Sequence, residues 1–224
     1  MGLPTPVAVW DQLVVLGETA QYWQSIGNTM TTTVVGLALS IAIAVPLGLL
    51  NGSDRRVTMS SQFVVDFMRT VPPIAILPLL LLVLGGTSSM SLVLIMLGAV
   101  WPLVIQSTYA MQQVSSQLKM VGAAFHLTLW ERIRSIYVPS ALPFLMTGIR
   151  IASVISLLMS VAGEFFGNVD GVGRDLYGAL SNSDSVTMFV YASTAALLGM
   201  VLNIAIGLIQ KRVLWWHPSV RGSH

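Results

Sequence analysis

Cysteine is absent from the 224 residues, and charge is scarce, with 11 Lys and Arg and 9 Asp and Glu making up 9% of the chain. The first absence excludes a disulfide framework and any thiolate-ligated metal centre. The second excludes an ordinary soluble domain, which carries roughly 25% charged residues. Histidine is nearly absent as well, at three. None of the three stands in an HExxH pattern, and no Ser-His pair falls in matching apolar runs, so an intramembrane enzyme has no catalytic constellation to use. No GxGxxG exists: Gly171-x-Gly173 lacks the third glycine and follows no strand pattern. Residues 1–28 contain no base and include Asp11 and Glu18, so a cleavable signal peptide is not expected and targeting falls to the first span. A net charge of +2 gives no reason to expect nucleic acid as a partner.

What remains is apolar. Hydrophobic residues reach 54% and mean hydropathy is +0.79, more apolar surface than a core of this size can hide from water. Apolar runs predict five spans, at 29–50, 71–86 with some extension into 64–70, 91–112, 140–163 and 187–209. Pro46, Pro102 and Pro143 fall inside three of them, as simple kinks or as cavity-lining breaks. Pro72, Pro73 and Pro78 interrupt the second span, and the Pro72-Pro73 pair forces an irregular start. Leu3, Val7, Trp10, Leu13, Val14 and Gly17 recur at helical spacing ahead of the first span. With Trp10, Tyr22 and Trp23 they predict an outer-face interfacial segment over 1–28. Gly222-Ser223-His224 reads as a fusion scar.

The bases set an orientation. If five spans alternate, Arg55, Arg56, Arg69, Lys119, Arg132, Arg134, Lys211, Arg212 and Arg221 share one side. The opposite side holds only Arg174, in the connection 164–186. The positive-inside rule then predicts an outside amino terminus, a cytoplasmic carboxyl terminus and a bacterial cytoplasmic membrane location. Arg150 lies two to three turns into the fourth span, as a substrate or subunit contact or a snorkelling side chain. Glu164 closes the same span on the outer side. The Gly-rich segment 163–178 is too long for a plain connection and predicts a short helix or re-entrant element.

One stretch, 117–143, is helical in pattern yet too polar for hydrocarbon. Thr128 and Glu131 have capping-box spacing, which starts a helix after Thr128. Leu129, Ile133 and Ile136 would form its apolar stripe. Leu118, Val121, Ala124 and Phe125 predict a preceding short helix, with a break near His126-Leu127. Two readings fit: an amphipathic connector on the bilayer surface, or a knob presented to a soluble partner.

The segment VGAAFHLTLWERIRSIYVPSALPFLMTGIRIA resembles the "EAA" loop of binding-protein-dependent ABC-importer permeases. Ile136, Val138 and Pro139 match the end of that pattern. Met120 stands where the family has its leading Glu, and His126 where it has the turn Gly. The segments LPTPVAVW, RTVPPIAILPLLLLVLG and GEFFGNVDGVGRDL resemble, in order, further motifs of the branch that imports nitrate, taurine and aliphatic sulfonates. The likeness runs from about residue 3 to 219. Members of that family carry another span ahead of the Leu-Pro-x-Pro segment, so this is either a five-span form or a chain that starts late.

The resemblance implies an all-α integral membrane protein of about five transmembrane helices, with the type I ABC-importer permease fold. Residues 29–221 would form the permease domain and 113–139 its cytoplasmic coupling loop. It implies an importer of a small polar or anionic solute such as a sulfonate, taurine or nitrate; a non-transporting structural subunit and a channel-like pore are the alternatives. The permease itself would be no enzyme and hold no cofactor or metal, with ATP and Mg bound by a cytoplasmic ABC ATPase. Its other partners would be a second permease, in a homodimer or heterodimer, an extracytoplasmic substrate-binding protein and membrane lipid. The implied ATPase contacts are Ala123, Phe125, His126, Leu127, Thr128, Leu129, Trp130, Glu131 and Arg134. Trp130 is either an interface anchor or packed on the next span. The implied path residues are Pro72, Pro73, Arg150 and Glu164.

Overall fold

A computed structural model describes residues 3–216; Arg221 and the 222–224 segment lie outside the described residues. Every regular element among the described residues is helical. The order is α1 (Pro6–Gly17), α2 (Ala20–Ser53), α3 (Arg55–Thr70), α4 (Pro73–Leu84), α5 (Ser88–Gln112), α6 (Ser116–Ala124) and α7 (Leu129–Arg132). A π-helical turn, Ile133–Tyr137, then leads into α8 (Val138–Gly167), α9 (Val172–Ser181) and α10 (Ser185–Val213). Among the described residues, four helices are long and apolar enough to cross a membrane: α2, the run Leu129–Gly167, α5 and α10. In hydrocarbon each backbone N–H needs a partner inside the chain, and helices supply it.

The second expected span is not one straight helix. α3 and α4 meet at a 79° bend, and only counted together do they make a fifth span. Pro72 and Pro73 are the cause. Proline disfavours helical backbone in the residue before it, and Val71 and Pro72 are accordingly extended. Pro73 then starts α4 at a position where its missing N–H costs nothing. Another difference lies at the amino terminus, where α2 begins at Ala20, ahead of the apolar run. Its first turns carry Gln21, Gln24, Ser25 and Asn28, whose polarity hides the helix from a hydropathy reading.

The chain forms two compact units. The first comprises residues 1–38, 72–98 and 153–204. Here Val9, Leu13 and Leu16 of α1 pack on buried Tyr22, Val172, Val190 and Tyr191. Leu3, Val7, Trp10 and Val14 of the expected stripe stay exposed, so only part of it serves the protein core. The Tyr22 hydroxyl meets Thr194 Oγ1 at 2.7 Å, and Thr194 donates in turn to the Val190 carbonyl. A second cluster joins Leu77 of α4 with Leu94 and Ile95 of α5 and Met159 of α8. Asp184 caps α10 by accepting from the Thr187 N–H at 3.1 Å, and Thr187 holds its carboxyl below the usual carboxylate range.

The second unit comprises 39–71, 99–152 and 205–224. Its core joins Ala110, Ala141 and Leu145, flanked by Val45, Leu49 and Phe144. Asn51 ties three helices: it donates to Thr108 Oγ1 at 3.1 Å, and accepts from Ser61 at its side chain and from Thr58 at its backbone carbonyl.

Close helix approach in both units depends on small residues, as expected where lipid supplies no hydrophobic drive between helices. A Cβ at Gly86 would strike the Gly167 carbonyl, whereas one at Gly178 would meet open space. Gly86→Ala is therefore expected to destabilise by about 1–3 kcal/mol through overpacking. Gly178→Ala should be neutral or stabilising by about 0.5–1 kcal/mol. Thermal unfolding of the two detergent-solubilised variants checks both, and equal melting temperatures would refute the packing argument.

Candidate functional site

The loop 113–139 has the local structure its residues dictate. Ser115 caps α6 by accepting from the Leu118 N–H at 3.2 Å. Thr128 and Glu131 form a complete capping box: Thr128 Oγ1 accepts from the Glu131 N–H, and Glu131 Oε2 accepts from the Thr128 N–H at 2.8 Å. The intervening turn passes through His126, whose φ of 51° lies in the left-handed region. That region favours glycine, and histidine is one of the side chains that tolerate it. So His126 holds the geometry of a glycine turn at some cost in strain.

This loop is held by contacts within itself. Arg132 Nε donates to the Leu127 carbonyl at 2.9 Å. Ile136 is buried under Gly122, where a Cβ would collide with it. The π turn closes with the Val138 N–H donating to the Ile133 carbonyl, five residues back, just before Pro139, which has no N–H to give. Of the expected apolar stripe only Ile136 is buried; Leu129 points outward. So do its neighbours: Phe125 is 76% exposed, Leu129 74% and Trp130 70%. Trp130 therefore does not pack on the following span of its own chain. Met120 and Val121, at the degenerate end of the pattern, are exposed as well. Ala123, His126, Thr128, Glu131 and Arg134 are also exposed, and Leu127 is half-buried.

The four other sequence-predicted residues do not form one cluster. Pro72, Pro73 and Glu164 belong to the first unit and Arg150 to the second. Pro72 is exposed, Pro73 half-buried at the start of α4, and Arg150 exposed on α8. Glu164 is 1% exposed. Its carboxyl oxygens accept from Thr29 Oγ1 at 2.8 Å, Ser160 Oγ at 3.1 Å and the Gly173 N–H at 3.0 Å. Thr29 Oγ1 in turn accepts from the Val172 N–H at 2.9 Å. Two first-turn donors of α9 are thus satisfied by side chains of α2 and α8, since Gly171 has no side chain to cap with. The close approach also explains Gly171 and Gly173. A Cβ at the first would strike the Glu164 carboxyl, and at the second the Val161 carbonyl.

Apart from Arg174, the groups around this junction are not marked by the sequence patterns above. Ser25 donates to Asp175 at 2.5 Å. An adjoining cavity of about 570 Å³ is lined by Asn28, Thr31, Thr32, Thr87, Asn168 and Arg174, among others. The polar first turns of α2 were the available signal. No group of three or more His, Cys, Asp or Glu able to hold a metal occurs among the described residues.

Among the described residues, helices of membrane length together with a polar helical loop that leaves apolar side chains exposed define a multi-pass membrane protein. Residues 36–215 match the model of the family described as binding-protein-dependent transport system inner membrane component, and the chain belongs to that family. It is 27% identical to SsuC of Bacillus subtilis, assigned to aliphatic sulfonate transport, over 98% of this chain and 80% of that protein. It is 27% identical to the nitrate import permease protein NrtB of Synechocystis sp., over 95% of this chain and 80% of the relative. The bicarbonate transport system permease protein CmpB of Synechococcus elongatus is 24% identical over 86% and 69%. A chain of the MetNI methionine ABC transporter, in an inward-facing conformation, superposes with a TM-score of 0.74 at 18% identity, covering 94% of this chain and 99% of that one. The protein is thus a multi-pass permease of the ABC-importer class with the type I fold.

The Glu164 junction makes a prediction. Glu164→Ala leaves buried Thr29, Ser160 and Gly173 donors unpaired, each costing about 1–3 kcal/mol. Glu164→Gln keeps an acceptor for Thr29 and Gly173 and turns a donor toward the Ser160 hydroxyl. Thermal unfolding in detergent should show a large loss for the Ala variant and a small one for Gln. Equal losses would refute the capping role.

Proposed function

We propose that this permease docks a cytoplasmic ABC ATPase through residues 120–139 and admits a small oxyanion, such as a sulfonate or nitrate, delivered by an extracytoplasmic binding protein. The observation that carries the docking is the exposed apolar surface of Phe125, Leu129 and Trp130 on a loop whose backbone is already capped and closed. Exposed apolar patches mark protein or membrane contact surfaces, and the polarity of the loop around these side chains favours a protein partner. Trp130 supplies the area, while Glu131 and Arg134 flank it as orienting charges. ATP and Mg belong to the partner, and two permeases together enclose the path. The loop faces the cytoplasm together with the carboxyl terminus, because the bases cluster on that side of the alternating spans.

The substrate class follows from what the relatives have in common. Their names specify sulfonates, nitrate and bicarbonate, all small groups bearing anionic oxygen. Pro72 and Pro73 border the path at the 79° bend, where irregular backbone needs protein or water beside it. Glu164 acts behind the path by holding α9 in place, and Arg150 is a contact for the substrate or the second permease.

Trp130→Ala tests the docking. The variant should insert and fold as the parent does, since the side chain is 70% exposed, yet bind the ATPase weakly and lose ATP-driven uptake in proteoliposomes. Uptake at the parental rate would sink the assignment.

A further inference from the structure

Arg174 is the only Lys or Arg in the first unit, which also holds Asp11, Glu18, Glu164, Asp170, Asp175 and Asp184. Its position does not serve its own helix. It is the third residue of α9, where a positive side chain opposes the helix dipole. Nor does it cap anything: the neighbouring N–H groups of Val172 and Gly173 already donate to Thr29 and Glu164. Its partner is Asp170, one turn back, in an ion pair about half open to solvent. Such a pair contributes little to stability. What Arg174 does do is border the cavity of about 570 Å³ and two smaller ones of about 320 Å³ beside it.

The large cavity falls in the size range of small-molecule sites. Around Arg174 it presents neutral groups able to donate hydrogen bonds, the amides of Asn28 and Asn168 and the hydroxyls of Thr31, Thr32 and Ser88. One carboxylate, Asp170, lies among them. We propose that this cavity is a receiving site for the oxyanion, with Arg174 as its charge partner and Asp170 as the internal anion it displaces. The inference rests on the oxyanion reading of the substrate and adds the residues that meet it. A guanidinium matches a planar or tetrahedral oxyanion with paired N–H donors, and uncharged hydroxyls and amides complete the shell. Competition from Asp170 keeps the site weak. Weak binding suits a site that must pass its ligand on.

Arginine-specific modification by phenylglyoxal tests this on the full chain in detergent, with peptide mass spectrometry reading each arginine separately. Sodium nitrate and sodium methanesulfonate should slow modification of Arg174 severalfold relative to sodium chloride at equal ionic strength, and leave Arg55 and Arg56 unaffected. In Asp170→Asn, the anion concentration giving half protection should fall about two- to fivefold, the range set by losing an exposed competing charge. Arg174 modified equally fast in all three salts overturns the proposal, as does protection unchanged by Asp170→Asn. Nitrate and methanesulfonate uptake by the reconstituted complex is measured in parallel. Uptake without protection sinks this site alone; protection without uptake of either anion sinks the substrate reading while the site stands.

Discussion

Backbone hydrogen bonding in lipid is the constraint from which the rest of this structure follows. A chain with 9% charged residues has to satisfy its N–H and C=O groups internally, so it is helical wherever it is apolar. Each interruption then needs its own donors and acceptors. Thr5, Asp54, Ser115, Thr128 and Asp184 supply them locally, as hydroxyl or carboxylate caps. The start of α9 is different. It is buried, its N-cap is glycine, and the missing acceptors come from Thr29 and Glu164 on other helices. A local defect is thereby converted into a tertiary tie among α2, α8 and α9.

Interruptions are also where polar and apolar groups are left exposed. The 113–139 loop is closed by its capping box and π turn, so its apolar side chains are not needed for folding and remain exposed. The junction at α9 is fixed by Glu164, so the polar groups beside it line a standing cavity and do not close on one another. In both places a rigid backbone presents chemistry that the fold itself leaves unused.

How much of this was legible in the residues depends on range. Apolar runs located the four long helices, because the signal is continuous. The capping box and the Pro72-Pro73 break were legible because both act within a few residues. Glu164 was visible only as a charge at the end of a span. Its role requires Thr29, 135 positions away, and no periodicity reports such a partner. Gly171-x-Gly173 is no nucleotide motif by its sequence, and the reason for its glycines is the approach of Glu164 and the Val161 carbonyl, which is purely tertiary. The early start of α2 was hidden because Gln21, Gln24, Ser25 and Asn28 face cavities, and polarity on a helix inside a protein reads as a loop in one dimension.

The positive-inside rule offers a general reason for a unit to hold few bases, and the first unit holds one of the eleven. It does not explain why one base is kept, at the helix position where the dipole disfavours it and beside an acid that only partly offsets it. A surface ion pair needs no cavity, and a helix start already capped by Thr29 and Glu164 needs no arginine. Among six acids, a lone guanidinium beside hydroxyl and amide groups is the one place in this unit where an anion finds a favourable charge. The same surplus of acids opposes tight retention, which is the balance a transport protein requires of a site it must empty.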